Sequence, residues 1–287
     1  MNTPKIKKNR PYWHVDAKWL TGILLVGLLT VTLLMFILVQ ATGPVQGKGI
    51  LTSMLASSFS YGSGGLDSNA DLEIMRQKIA ESPNGEWQPI PGLPIIVRLS
   101  DIEGKTAREV RMWFFAQMAD PLYQNGAQGL VDFATDPQMK AAFEQGVGPL
   151  GFISAATHAK ILSIFAVFGL VSLLFLLLLI FFSYRFGKLG SPGCVLFLAA
   201  IPGVLLFGGL NGWINQMTQN PIPFADQTAV TRYAQLAADV LPVVLKSALQ
   251  TYLILTLLGL VLVGVALLGS IFIREKKKIE VPKPDEN

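Results

Sequence analysis

"ILSIFAVFGLVSLLFLLLLIFFSY", residues 161–184, carries no charged side chain and would be apolar around the whole circumference of a helix. Such a helix rises roughly 36 Å at about 1.5 Å per residue, enough to cross a hydrocarbon core of about 30 Å. A soluble helix buries a stripe on one side. A helix in lipid can be apolar everywhere, because its backbone groups are satisfied internally and its side chains meet acyl tails or other helices. The segment therefore reads as a membrane span. Residues 19–41, 193–214 and 243–273 follow the same logic. Of these, 193–214 is interrupted by Pro202-Gly203 and by Gly208, Gly209 and Gly212, the composition of a kinked or closely packed span.

Composition agrees. Hydrophobic residues make up 51% of the chain and charged residues 15%, against about 25% charged in soluble domains. Orientation follows from the basic residues, since short loops rich in Lys and Arg stay in the cytoplasm. Lys5, Lys7, Lys8, Arg10 and Lys18 precede the first span, Arg185 and Lys188 sit in the hairpin at 185–192, and Arg274 with Lys276, Lys277 and Lys278 opens the tail. Residues 42–160 hold twelve acidic and nine basic residues, and the last loop sets Asp226 and Asp239 against Arg232, with Lys246 just inside the span that follows. Trp13, Trp19 and Tyr184 near the inner face and Trp213 near the outer fit interfacial belts. The net charge of +4 is thus a topology signal rather than one for nucleic acid.

The expected fold is an all-α integral membrane protein of a prokaryotic-type plasma membrane, with four transmembrane helices and a mostly helical extracytoplasmic cap inserted between helices 1 and 2. Its parts are a cytoplasmic N-terminus (1–18), the cap (42–160), the hairpin (185–192), an extracytoplasmic amphipathic loop (215–242) and a cytoplasmic tail (274–287). Val39-Gln40-Ala41 has the small-residue pattern of a signal-peptidase site, but the preceding apolar run is longer than a signal-peptide core, which favours a retained anchor.

Within the cap, "SSFSYGSGGLDS" is flexible by composition. A helix is expected over 71–80, with Leu72, Met75 and Ile79 on one stripe, and one short strand or strap over 95–99. Another helix is expected from Asp136-Pro137 to Gly146, with Met139, Ala142 and Phe143 inward. In the last loop, Asp226 is placed to cap a helix whose face holds Val230, Tyr233, Ala237 and Val240, ahead of Pro242, and this helix is expected to pack on the cap.

Gly104-Lys105-Thr106 has the ending of a phosphate-binding loop. The full pattern needs a first glycine at position 99, which is Leu99, and the segment faces outward in this topology. No nucleotide is therefore expected. Thr106 and Glu109 instead have the spacing of a capping box, opening a helix that ends near Asp120-Pro121. On that helix Ala107, Val110, Phe114, Phe115, Met118 and Leu122 form an apolar arc, and Arg111 falls inside it. A charge there must be paired, with Asp132 and Glu144 as candidates, or must serve a partner. Arg108, Arg111 and Trp113 are the interaction candidates of the cap. Gly208 and Gly212 are the helix-packing candidates of the membrane region.

Signs of catalysis are thin, and no catalytic residue is assigned. The two histidines, His14 and His158, fall on opposite sides of the membrane, and the single cysteine, Cys194, forms neither an intrachain disulfide nor a cysteine metal site. No metal or cofactor is expected. His158 lies near Ser154 and Thr157, which leaves a membrane-surface enzyme as a minor alternative. The centre of each span lacks ionisable residues, which disfavours ion-coupled transport.

In layout alone, four spans with a large first external domain and both ends inside, the chain is similar to the membrane component of the bacterial cell-division ABC transporter and related mechanotransmitting permeases. That resemblance implies a permease-like subunit with a separate ATPase, although "RFGKLGSPG" is short for a coupling helix. The reading favoured by the residues is a non-catalytic assembly, scaffold or sensory subunit that contacts the bilayer and either a membrane-protein partner or another copy of itself.

Overall fold

The computed structural model describes residues 13–59, 69–146, 151–219 and 227–279. In chain order the elements are α1 (Trp13–Thr42), α2 (Pro44–Phe59), α3 (Ala70–Glu81), β1 (Glu86–Trp87), β2 (Val97–Arg98), α4 (Leu99–Ile102), α5 (Ala107–Asn125), α6 (Ala127–Phe133), α7 (Pro137–Gly146), α8 (Ala155–Phe182), α9 (Gly187–Gln219) and α10 (Gln227–Ile279). Among the described residues, four helical stretches are long and apolar enough to cross a bilayer: Trp13–Thr42, Ala155–Phe182, Gly187–Gln216 and Val244–Phe272. This is the architecture of a polytopic membrane protein. Leu170, Leu177 and Phe181 on α8 and Ile254, Leu257 and Val261 on α10 are all exposed, a surface that acyl chains would solvate.

The chain divides into two compact units. One comprises Met1–Met35, Ile164–Gly209 and Ser247–Asn287. Its apolar centre joins Leu25 of α1, Leu179 of α8 and Val195 of α9. Polar side chains also bridge its helices. Thr32 Oγ1 donates to Leu28 O at 2.8 Å and so uses its one proton within α1. The Ser172 hydroxyl of α8, 2.9 Å away and buried, must then donate to Thr32. Helix pairs in lipid use such bonds because no hydrophobic driving force separates tail from side chain.

In the same unit α9 and α10 approach backbone to backbone. A Cβ on Gly193 would lie 3.0 Å from Gly259 O, and one on Gly203 would run into the Tyr252 ring. Gly193, Gly203 and Gly259 are thus the glycines at which this pair comes close. Among the described residues a Cβ on Gly208 would meet Leu249 at an ordinary 3.8 Å, and one on Gly212 would have nothing within 4 Å, which leaves these two glycines as candidates for packing against a partner.

The second unit comprises Phe36–Ser163 and Leu210–Lys246. Its core gathers Leu51 and Leu55 of α2, Ile79 of α3, Ile95 and Val97 around β2, the inner face of α5, Leu130 of α6 and Phe143 of α7. β1 pairs antiparallel with β2, Glu86 opposite Arg98 and Trp87 opposite Val97. Arg98 closes the pair with an ion pair to Glu86 at 2.8 Å.

Several boundaries differ from the sequence reading. α1 starts before residue 19, and α9 begins at Gly187 inside the expected 185–192 hairpin, which leaves a turn at 183–186 with Arg185 in the left-handed region at φ 46°. α5 runs through Pro121 to Asn125 rather than stopping at Asp120. The proline removes one backbone bond, but Leu122 and Tyr123 continue the buried stripe and hold the last turn in place. Ala142 is exposed, so the inner face of α7 is carried by Phe143 with Met139 packed beside it. α10 is continuous through Pro242. Asp226 and residues 60–68 lie outside the described residues, as do the side chains at 230, 233, 237 and 240.

Candidate functional site

The Gly-Lys-Thr segment is built as a corner. Gly104 turns the chain at φ 72°, a conformation that costs other residues a steric penalty. Thr106 Oγ1 then accepts from the Glu109 backbone N–H at 3.3 Å, while the Glu109 carboxylate accepts from the Thr106 backbone N–H at 2.8 Å. Both halves of the capping box are present. The two bonds from Thr106, through its backbone and its hydroxyl, hold the Glu109 carboxyl below its usual range. Lys105 does not reach into an open loop. Its ammonium donates to Asp101 O at 2.7 Å and lies 5.5 Å from the centre of the Trp113 ring. A phosphate-binding lysine must present its charge to a ligand, whereas this one is held between a carbonyl and an aromatic face.

The expected arc of α5 is the buried face, and Arg111 lies within it at 4% exposure. Among the described residues no buried side-chain nitrogen or oxygen lacks a partner, and Arg111 is engaged within the chain. Arg108 is exposed and also engaged, and Trp113 is half-buried against the core. Of the expected acids, Asp132 is exposed and accepts from Gln128 of its own helix at 2.8 Å.

A second polar cluster surrounds the α1–α2 corner. α1 ends at Thr42, and Gly43-Pro44 re-aims the chain into α2, with proline at the first helical position where its missing N–H costs nothing. The Thr42 carbonyl at the helix end accepts from the Tyr123 hydroxyl of α5 at 2.8 Å. Burial pushes the Tyr123 hydroxyl above its ordinary value, with Lys48 beside it acting in the opposite direction. Lys48 also forms an ion pair with Asp120, so α2 and α5 are joined by charge as well as by core packing. At Gly47 a Cβ would meet the Tyr123 ring at 3.0 Å and Ile153 at 3.2 Å.

His158 of α8 belongs to this corner. Its Nδ1 lies 3.3 Å from Thr42 Oγ1. That hydroxyl donates to Leu38 O at 2.7 Å, so it has no proton left and must accept from Nδ1–H. In the neutral ring this leaves the lone pair on Nε2, so Thr42 is a fixed acceptor and not a nucleophile that His158 could deprotonate. Of the two hydroxyls expected near His158, Ser154 caps α8 by accepting from the Thr157 N–H at 3.2 Å, and it lies 3.0 Å from the Thr157 hydroxyl. The composition of this corner was visible in the sequence, but its convergence was not: Thr42, Tyr123 and His158 are far apart in the chain, and α2 was not anticipated. Its available signal was Pro44 followed by Ile50, Leu51, Met54 and Leu55 at helical spacing.

No protein-family profile, curated protein or solved structure matches this chain. Among the described residues no group of three or more His, Cys, Asp or Glu is placed to hold a metal ion.

Proposed function

We propose that the protein is a non-catalytic membrane subunit whose second unit is an extracytoplasmic recognition domain, used for assembly, scaffolding or sensing within a membrane complex. The observation that carries this reading is the use made of the chemically able side chains. Lys105 is held over Trp113, Thr106 caps a helix, and the Thr42 hydroxyl is committed to its own helix. What the unit offers a partner is therefore a shaped surface on a packed core, with Arg108 and Trp113 on α5 as contact candidates and the face of Gly212 open to another helix. The outward placement rests on the Lys and Arg bias of the flanking segments.

Purification in a mild detergent, with identification of co-purifying chains and a mass measurement, tests the proposal. The expected result is a stoichiometric membrane-protein partner or a homo-oligomer. A monodisperse monomer, prepared without loss of any subunit, would sink it. Recovery of a nucleotide-binding ATPase would instead support a permease-like subunit.

A further inference from the structure

Within the first unit, a cavity of about 440 Å³ opens among α1, the α8–α9 turn, α9 and α10. Its volume lies in the range of about 300–1,000 Å³ typical of small-molecule sites. Gly22 on α1, Phe186 in the turn, Cys194 on α9 and Ala266 on α10 contribute to an overwhelmingly apolar wall, and Trp19 stands at its edge, 69% exposed. The polar exceptions are Lys18, Ser191 and Ser270, and of these Lys18 alone carries a charge. It is a lining residue, and its ammonium lies 3.7 Å from where a Cβ on Gly187 would be, so the charge reaches across to the start of α9. None of the ion pairs among the described residues involves Lys18. Asp16, two positions earlier, points about 200° away around the helix. Arg185 and Lys188, both exposed, flank Gly187 in sequence and add positive charge to the same turn.

An apolar slot between spans, closed at one end by an ammonium with no ion-pair partner among the described residues and beside an exposed tryptophan, has the chemistry of an amphiphile with an acidic head. We propose that it is a binding site for one anionic glycerophospholipid, with an acyl chain in the slot and the phosphate at Lys18. The glycine at position 22 keeps the slot open: a methyl there would meet Leu179 at an ordinary 3.8 Å, while a larger side chain would enter the volume. The site is independent of any partner recognised by the second unit.

Cys194, exposed and the sole cysteine, provides a reporter. In detergent-purified full-length protein, N-ethylmaleimide alkylation of Cys194 and native mass spectrometry would be followed during titration with dipalmitoyl phosphatidylglycerol. Dipalmitoyl phosphatidylcholine and free glycerol 3-phosphate serve as the comparison probes. The expected result is one tightly held phosphatidylglycerol that slows alkylation at about fivefold lower concentration than phosphatidylcholine, the factor equivalent to about 1 kcal/mol per basic residue. Lys18→Gln should abolish that preference. Gly22→Leu should abolish protection by either lipid, and Gly22→Ala should leave it intact. Equal titration by the two lipids, a preference that survives Lys18→Gln, or equal protection by glycerol 3-phosphate would each overturn the proposal.

Discussion

Glu109 is the acidic half of the capping box that opens α5. Its carboxylate closes the capping box and sits below the usual carboxylate range for that reason. A group whose folded pKa is depressed stabilises the fold above its unfolded value, about 4.3, and loses that contribution as pH falls through the folded value. Glu109→Gln should therefore flatten the acid limb of a thermal-stability profile below about pH 4.3. Thr106→Ala should lower stability by about 1 kcal/mol at neutral pH, the typical value of an N-cap, with no effect on any nucleotide titration. Arg111 is the opposite case, a charge inside the core. Arg111→Glu should cost about 3–5 kcal/mol, as breaking a buried charge arrangement does, and abolish accumulation in the membrane. A variant that accumulates and melts normally would show that Arg111 serves an external partner instead.

Among the elements, the α1–α2 corner and the α9–α10 pair depend most on contacts between segments remote in sequence. Tyr123→Phe removes the donor to the Thr42 carbonyl and leaves that acceptor unpaired in a buried site. Destabilisation of about 1–3 kcal/mol is expected, measured as a shift in the thermal midpoint of the detergent-solubilised protein. In the α9–α10 pair, Gly203→Leu places a side chain where the Tyr252 ring lies and should prevent the two helices from closing. At Gly212 an added Cβ meets nothing within 4 Å among the described residues, so Gly212→Leu should leave the fold intact. If both behave alike in a thermal-shift assay, the close approach at Gly203 is not what seals the pair. Should Gly212→Leu keep the fold but lose a co-purifying chain, the open face is the site of assembly.

For the whole molecule, the decisive question is sidedness. Asn84, in the turn after α3, is exposed, and the proposed topology places it outside. In a Cys194→Ser background, Asn84→Cys should react with a membrane-impermeant maleimide on intact cells. A cysteine added at the C-terminus should react only after permeabilisation. The reverse pattern would invert the topology and remove the basis for an external recognition domain. Positive flanks at 1–18, 185–188 and 274–278 argue for the stated direction.

The sequence by itself determined the four apolar helices, because lipid imposes a composition on every face of a span, and it determined the capping box and the buried arc of α5, because both are periodicities within about one helix. It indicated that Arg111 would be buried but not what engages it. Tertiary structure alone decided which glycines pack, since Gly193, Gly203 and Gly259 differ from Gly208 and Gly212 only in what stands opposite them. It also decided that α5 outlasts Pro121, where burial of Leu122 and Tyr123 offsets one lost backbone bond. Thr42, Tyr123 and His158 met at one corner for the same reason. Local rules act over one or two turns of chain, whereas these contacts close loops of tens of residues or more, and their energies exist only once the fold has brought the partners together.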